Sequence, residues 1–169
     1  MKHGWIAGLL TVGAAAMAGQ DLQLDGKFRL IRDGLPVKWT LPVPAAGQMT
    51  RGRMWPERAL KLTADKTAAL AVSREKFPVG AGEALELEAE IRGAGTAFLA
   101  AELLDGQGRT LAMPRLASAA ATADFRKIKG KLDLTEWRAR QPVELRIVLG
   151  AESGGQIDFA DVEAELDRD

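Results

Sequence analysis

The stretch EALELEAEIR, residues 83–92, places Leu85, Leu87, Ala89 and Ile91 at every second position, with Glu86, Glu88 and Glu90 between them. That alternation puts one face of an extended strand in a core and the other in water; a helical stripe would need a period near 3.6. The same period recurs elsewhere. Leu60 and Leu62 precede the turn 64–67, Leu70 and Val72 follow it, and Val143, Leu145, Ile147 and Leu149 come later. No ten-residue segment of the chain holds a convincing helical stripe. Turn signals such as Gly93-Ala94-Gly95 and Asp105-Gly106-Gln107-Gly108 recur at intervals of roughly eight to twelve residues, the habit of β-sandwiches and barrels. Two stretches depart from simple alternation. Residues 96–104 are apolar at both parities, as expected of a strand covered on both sides or facing a groove. The proline-rich residues 36–47 suit an edge strand followed by a loop. Like charges along Glu86, Glu88 and Glu90 read as a solvated strand face that discourages edge pairing.

The chain begins MKHGWIAGLLTVGAAAMAGQ: a basic start at Lys2, an apolar run from Trp5 to Ala16, and the small-x-small site Ala16-Met17-Ala18. This is the layout of a cleavable signal peptide over residues 1–18, leaving one domain over residues 19–169 in a secreted or periplasmic setting. The run is shorter than the roughly 20 residues of a membrane span. There is no cysteine, and the one histidine, His3, belongs to the leader. Without either residue the exported domain has no Ser-His-Asp or Cys-His nucleophile system and no ordinary zinc or copper site. Basic and acidic residues balance at 23 each, so no global field favours nucleic acid.

The closing stretch GGQIDFADVEAEL changes parity. Ile157 and Phe159 are apolar at odd positions, whereas Val162, Ala164 and Leu166 are apolar at even ones, with Asp161 at the break. A one-residue slip turns every later side chain to the other face, so a bulge is expected there. Together with LDGKF (residues 24–28), DGLPVKWTL (33–41) and ALKLTA (59–64), this stretch resembles the galactose-binding-like jelly rolls, especially bacterial carbohydrate-binding modules. The resemblance spans residues 19–169 in order. It departs at Arg29, where an acidic residue often follows the first Phe, and at Ala160, which replaces the first Asp of an Asp-Asp-Val pair. It implies an all-β fold, a two-sheet antiparallel β-sandwich of jelly-roll type, with Trp39 in the core. It also implies a structural calcium where the first and last strands meet, held by Asp161 and Asp25, because calcium takes six to eight oxygens and suits a bend in the chain.

Sugar recognition in such modules uses flat aromatic rings, which present a large rigid face. Tyrosine is absent, and Trp39, Trp55 and Trp137 are the tryptophans outside the leader. Trp55 sits in RGRMWPER beside Arg53, and Trp137 in TEWRAR beside Arg138. If the two loops converge, indoles beside guanidinium groups suit an anionic or sulfated glycan. The plain alternative pairs these arginines with Glu57 and Glu136 at the surface. The expected function is therefore a secreted, non-catalytic, carbohydrate-binding module, with Trp55, Trp137, Arg53 and Arg138 on the ligand. The alternative is an envelope structural or protein-interaction domain built on the same sandwich. A carboxylate-driven glycosidase is the least supported reading, since no acidic pair stands out.

Overall fold

The computed structural model describes residues 20–54, 56–80 and 83–168; the leader expected over residues 1–18 and Trp55 lie outside them. In chain order the strands are β1 (Gln20–Asp21), β2 (Ile31–Arg32), β3 (Leu35–Pro36), β4 (Trp39–Thr40), β5 (Gly47–Arg51), β6 (Arg58–Thr63), β7 (Ala69–Ser73), β8 (Phe77–Pro78), β9 (Glu83–Ala94), β10 (Thr96–Leu104), β11 (Thr110–Ala112), β12 (Arg115–Ala120), β13 (Arg126–Asp133), β14 (Glu144–Ala151) and β15 (Gln156–Arg168). The first sheet runs β13-β9-β15-β6-β5 with β1 also on β15, and the second runs β11-β10-β14-β7-β4 with β12 on β10 and β8 on β14. Strands β2 and β3 form a separate hairpin. The proline-rich stretch supplies β4 at an edge of the second sheet and a 3-10 turn at Pro44–Ala46.

The period-two residues fill the space between the sheets. Leu85, Leu87, Ile91, Ile157 and Phe159 of the first sheet share one buried cluster with Leu99, Leu103, Leu145, Ile147 and Leu149 of the second. Trp39 belongs to it, with the Phe28 ring 5.8 Å away and tilted by 47°. Strand β10 is covered on both sides, as its sequence implies. Its odd positions enter this main cluster, while Phe98 and Ala100 join Val72 and Val148 in a second one on the opposite face.

The outer face of the first sheet is a charge lattice. Strand β9 is an interior strand between β13 and β15, so its glutamates guard no edge. They face lysines instead: Lys127 pairs with Glu88 at 2.5 Å, Lys129 with Glu86 at 2.6 Å, and Lys131 with Glu86 at 3.2 Å and Asp167 at 3.0 Å. A row of like charges becomes favourable once an oppositely charged strand lies beside it.

The parity change of β15 is a bulge. Ala160 faces Glu90 of β9 and Glu163 faces Glu88, so Asp161 and Val162 together oppose one residue, Ala89. Asp161 takes a left-handed conformation with φ 46°, which aspartate tolerates better than most residues. The bulge falls where the other neighbour of β15 changes. Before it, residues 156–159 pair with β6. After it, Val162 N–H donates to Gly26 C=O at 3.1 Å, Leu22 N–H donates to Ala164 C=O at 2.9 Å, and Gln20 and Asp21 pair with Leu166 and Glu165. At Gly26 the two backbones meet so closely that a Cβ would lie 1.7 Å from the Val162 carbonyl oxygen.

Two outcomes follow from this architecture. Gly26→Ala forces the N-terminal segment off β15 and is expected to lower stability by about 1–3 kcal/mol, read as a lower urea midpoint; an unchanged midpoint would mean that this seam carries no global stability. The lattice gives stability two pH limbs. Hydrogen bonds from Lys129, then Lys131, hold Glu86 below its ordinary value of 4.5, so its contribution is complete above that value and is lost as pH falls through the depressed one. Glu88 raises Lys127, Glu86 raises Lys129, and Asp167 then Glu86 raise Lys131 above 10.5. Their contribution is complete below that value and disappears as pH climbs through the raised ones. Urea unfolding across pH should therefore show a plateau between two falling limbs, with Glu86→Gln flattening the acid one.

Candidate functional site

The junction of the first and last strands holds both expected calcium ligands. Asp25 begins a tight turn in which Phe28 N–H donates to Asp25 C=O at 2.9 Å. Its two carboxylate oxygens each accept a backbone N–H, from Arg29 and Leu30, both at 3.0 Å. These bonds hold a turn in which Asp25 and Phe28 both have positive φ, 51° and 49°. Such a conformation is unusual for a bulky residue, and complete burial of the Phe28 ring offsets it. Asp161 turns toward this segment and meets Lys27 at 3.4 Å. Thus one expected ligand is committed to amides and the other to an ammonium group. Among the described residues, no three His, Cys, Asp or Glu gather into a metal-binding group. As placed, Asp25 and Asp161 do not fit the six-to-eight-oxygen shell that calcium takes.

The expected ligand residues separate into two places. Trp137 lies in a 3-10 turn, Leu134–Arg140, capped by Asp133, whose carboxylate accepts Thr135 N–H at 2.8 Å. Its ring is half-buried against the main core, with the Arg140 guanidinium 5.1 Å from the ring centroid. Arg138 is exposed in the same turn. Arg53 pairs with Glu90 at 2.9 Å rather than with Glu57, which accepts Met54 N–H instead. Along β9, Glu90 is six residues from Ala84, the partner of Asp133; at about 3.3 Å per residue this is roughly 20 Å. The structure therefore does not bring Arg53 together with Trp137 and Arg138.

Arg53 instead meets residues that the sequence did not single out. With Arg92, Ala123, Asp124 and Phe125 it lines a cleft of about 320 Å³ on the outer face of the first sheet. Arg92 donates from Nε (3.1 Å) and Nη2 (2.6 Å) to one oxygen of Asp158, and from Nη2 to Arg51 C=O at 3.2 Å. Asp158 is buried, and its second oxygen makes no hydrogen bond; Lys61 Nζ is 3.9 Å away. The Arg92 guanidinium, fixed in this way, lies 4.3 Å from the centroid of half-buried Phe125. Residues 121–125 are held by Gly93 N–H donating to Thr122 C=O (2.8 Å) and Ala121 N–H donating to Gly95 C=O (2.8 Å). Gly93 has φ 138°, and a Cβ there would lie 2.0 Å from Gln156 C=O, so the bend that positions Phe125 requires glycine. Arg53 belongs to the loop 52–57, which also carries Trp55. The sequence signal for Arg92 was present but inconspicuous: a cation continuing a row of outward glutamates, opposite Asp158.

On the outer face of the second sheet, Phe98 is covered. Phe98 lies against Gly150, where a Cβ would be 2.0 Å from the ring, and the Arg115 guanidinium sits 4.1 Å above it. Arg115 is itself paired with Glu152, leaving Phe98 2% exposed.

No protein-family model matches the chain, and no curated protein sequence matches it. Among solved structures it is similar to the CBM22-1 xylan-binding domain of Paenibacillus barcinonensis Xyn10C, with 18% identity and a TM-score of 0.64 over 92% of this chain and 99% of that one. It is similar to CBM29_1, a family 29 carbohydrate-binding module from Piromyces equi, with 12% identity and a TM-score of 0.53 over 78% and 82% of the two chains. It is also similar to a cyclase from Fischerella sp. TAU, with 13% identity and a TM-score of 0.64 over 88% and 98%. One fold thus serves a binding domain and an enzyme, so function has to be argued from the site. What these likenesses establish is the fold, a two-sheet antiparallel β-sandwich shared with these domains.

Proposed function

We propose that the protein is an exported, non-catalytic carbohydrate-binding domain whose ligand surface centres on the loop 52–57. The observation that carries this reading is the cleft where Arg53, Arg92 and Phe125 converge. An aromatic ring beside a guanidinium group held by a buried carboxylate supplies an apolar face and directional N–H donors, the combination that small-ligand sites use for shape and orientation. Arg92 spends Nε and Nη2 on protein acceptors, which leaves Nη1 for a sugar hydroxyl or ring oxygen. We assign Trp55, in the same loop, as the second aromatic contact. Trp137 packs on the core beneath Arg140 and Arg138 accompanies it, so we assign both to anchoring the 3-10 turn.

Among the described residues, Glu86, Asp105 and Asp133 shift down and Lys127, Lys129 and Lys131 shift up, the directions that ion pairs and carboxylate hydrogen bonds impose. Export rests on the layout of residues 1–18. Among the described residues, no helix is long and apolar enough to cross a membrane.

A glycan array probed with residues 19–169 and three variants tests the reading. Trp55→Ala and Phe125→Ala are expected to weaken glycan binding about tenfold, on the order of one stacked ring, while Trp137→Ala keeps it. Absence of any bound glycan, or binding that survives both loss variants, would overturn the assignment and favour the protein-contact alternative. For the strand junction, we assign the fastening to Lys27 and Asp161 in place of calcium. Melting curves in chelator and in excess calcium should coincide; a rise with calcium would restore the ion, since a ligand bound only to the folded state stabilises it.

A further inference from the structure

On the other side of the loop 52–57 the matching of charges stops. Arg51 and Arg58 are direct cross-strand partners at the mouth of the β5–β6 hairpin, a position where like charges destabilise the pairing. Arg58 also lines a second cleft, of about 400 Å³, with Lys27, Arg29, Pro56 and Glu57. The side chains of Arg29, Arg51 and Arg58 make no hydrogen bond or ion pair among the described residues. The nearby carboxylates are already engaged: Glu57 accepts Met54 N–H at 3.0 Å, and Asp161 pairs with Lys27. This surplus is local, because the chain as a whole is neutral and the cations on the outer face of the same sheet are matched one by one. Two opposed arginines beside Arg29 repel one another, Lys27 alone of the four cations being paired, and an oxyanion entering the cleft would relieve that repulsion. Guanidinium forks fit carboxylate and sulfate oxygens bidentately.

We propose that the cleft between Lys27, Arg29 and Arg58, with Arg51 at its margin, binds an oxyanion, a carboxylate or sulfate carried by an acidic glycan. The choice of a glycan rests on the carbohydrate-binding reading above; the oxyanion itself rests on the unmatched arginines.

Affinity electrophoresis of residues 19–169 through gels containing polygalacturonate, heparin or neutral xylan tests this. Polygalacturonate retardation identifies carboxylate as the preferred group, and heparin retardation identifies sulfate. Retardation in an acidic gel should fall as salt screens the charges. The double variant Arg29→Gln/Arg58→Gln should bind about tenfold more weakly. Lys66→Gln removes the same kind of charge from the turn at the opposite end of β6 and should leave retardation unchanged. Arg58→Gln should melt at or above the wild-type temperature, because it relieves the repulsion with Arg51. Equal losses in the double variant and Lys66→Gln, or no retardation by either acidic polymer, would overturn the proposal. Retardation by neutral xylan alone would overturn it while leaving the carbohydrate-binding reading intact.

Discussion

The pairing of β15 with β9 is the contact on which the rest of this sandwich depends. It runs along nearly the whole of both strands, and the bulge at Asp161 and Val162 is its one interruption. On the far side of β15, β6 pairs before the bulge and the N-terminal segment after it. A strand that changes partners midway must shift its own register to keep both stretches of apolar side chains pointing inward. The bulge does this by placing two residues opposite Ala89, and aspartate makes the left-handed turn at modest strain. The carboxylate is thereby turned out of the sheet toward Lys27. The feature that looked in the sequence like a metal ligand is first of all a consequence of closing the chain's two ends onto one strand.

Charge on the first sheet follows a similar logic. Glu86, Glu88 and Glu90 taken alone would repel one another; with the lysines of β13 beside them they become cross-strand pairs. Exposed pairs of this kind contribute little individually, but they fix which strand lies beside β9 and leave few cations without a counterpart on that face. Against this matched background, the arginines around the loop 52–57 stand apart. Arg53 and Arg92 are paired and oriented beside Phe125, whereas the side chains of Arg29, Arg51 and Arg58 are unmatched among the described residues. One loop therefore separates an oriented, partly apolar cleft from a cationic one, an arrangement suited to a ligand with both a ring face and a negative group.

Much of the fold was legible because burial leaves a periodic trace. The strand at residues 85–91, the two-faced burial of β10 and the register break at Asp161 all follow from which side chains can leave water, whereas the core position of Trp39 came with the family resemblance. The site was less legible. Trp137 and Arg53 share a local signature, an aromatic or a cation in an arginine-rich loop, yet they lie at opposite stretches of β9. Arg92 and Phe125 carried no loop signature, because one is a strand residue and the other the last residue before β13. Their convergence depends on the Gly93 bend and on hydrogen bonds that join the 121–125 segment to it.

The sequence by itself determined that this chain is an all-β sandwich or barrel with a parity break near its end, since alternation and turn chemistry act between near neighbours. By composition alone it also left residues 19–169 without histidine or cysteine. Only the tertiary structure decided what each charge faces: that Glu86 meets lysines, that Asp25 serves backbone amides, that Asp161 meets Lys27, and that Arg51 opposes Arg58. An ion pair or a cleft is made by residues distant in sequence, and its sign and geometry exist only after strand order and register have been set by the burial of the apolar face.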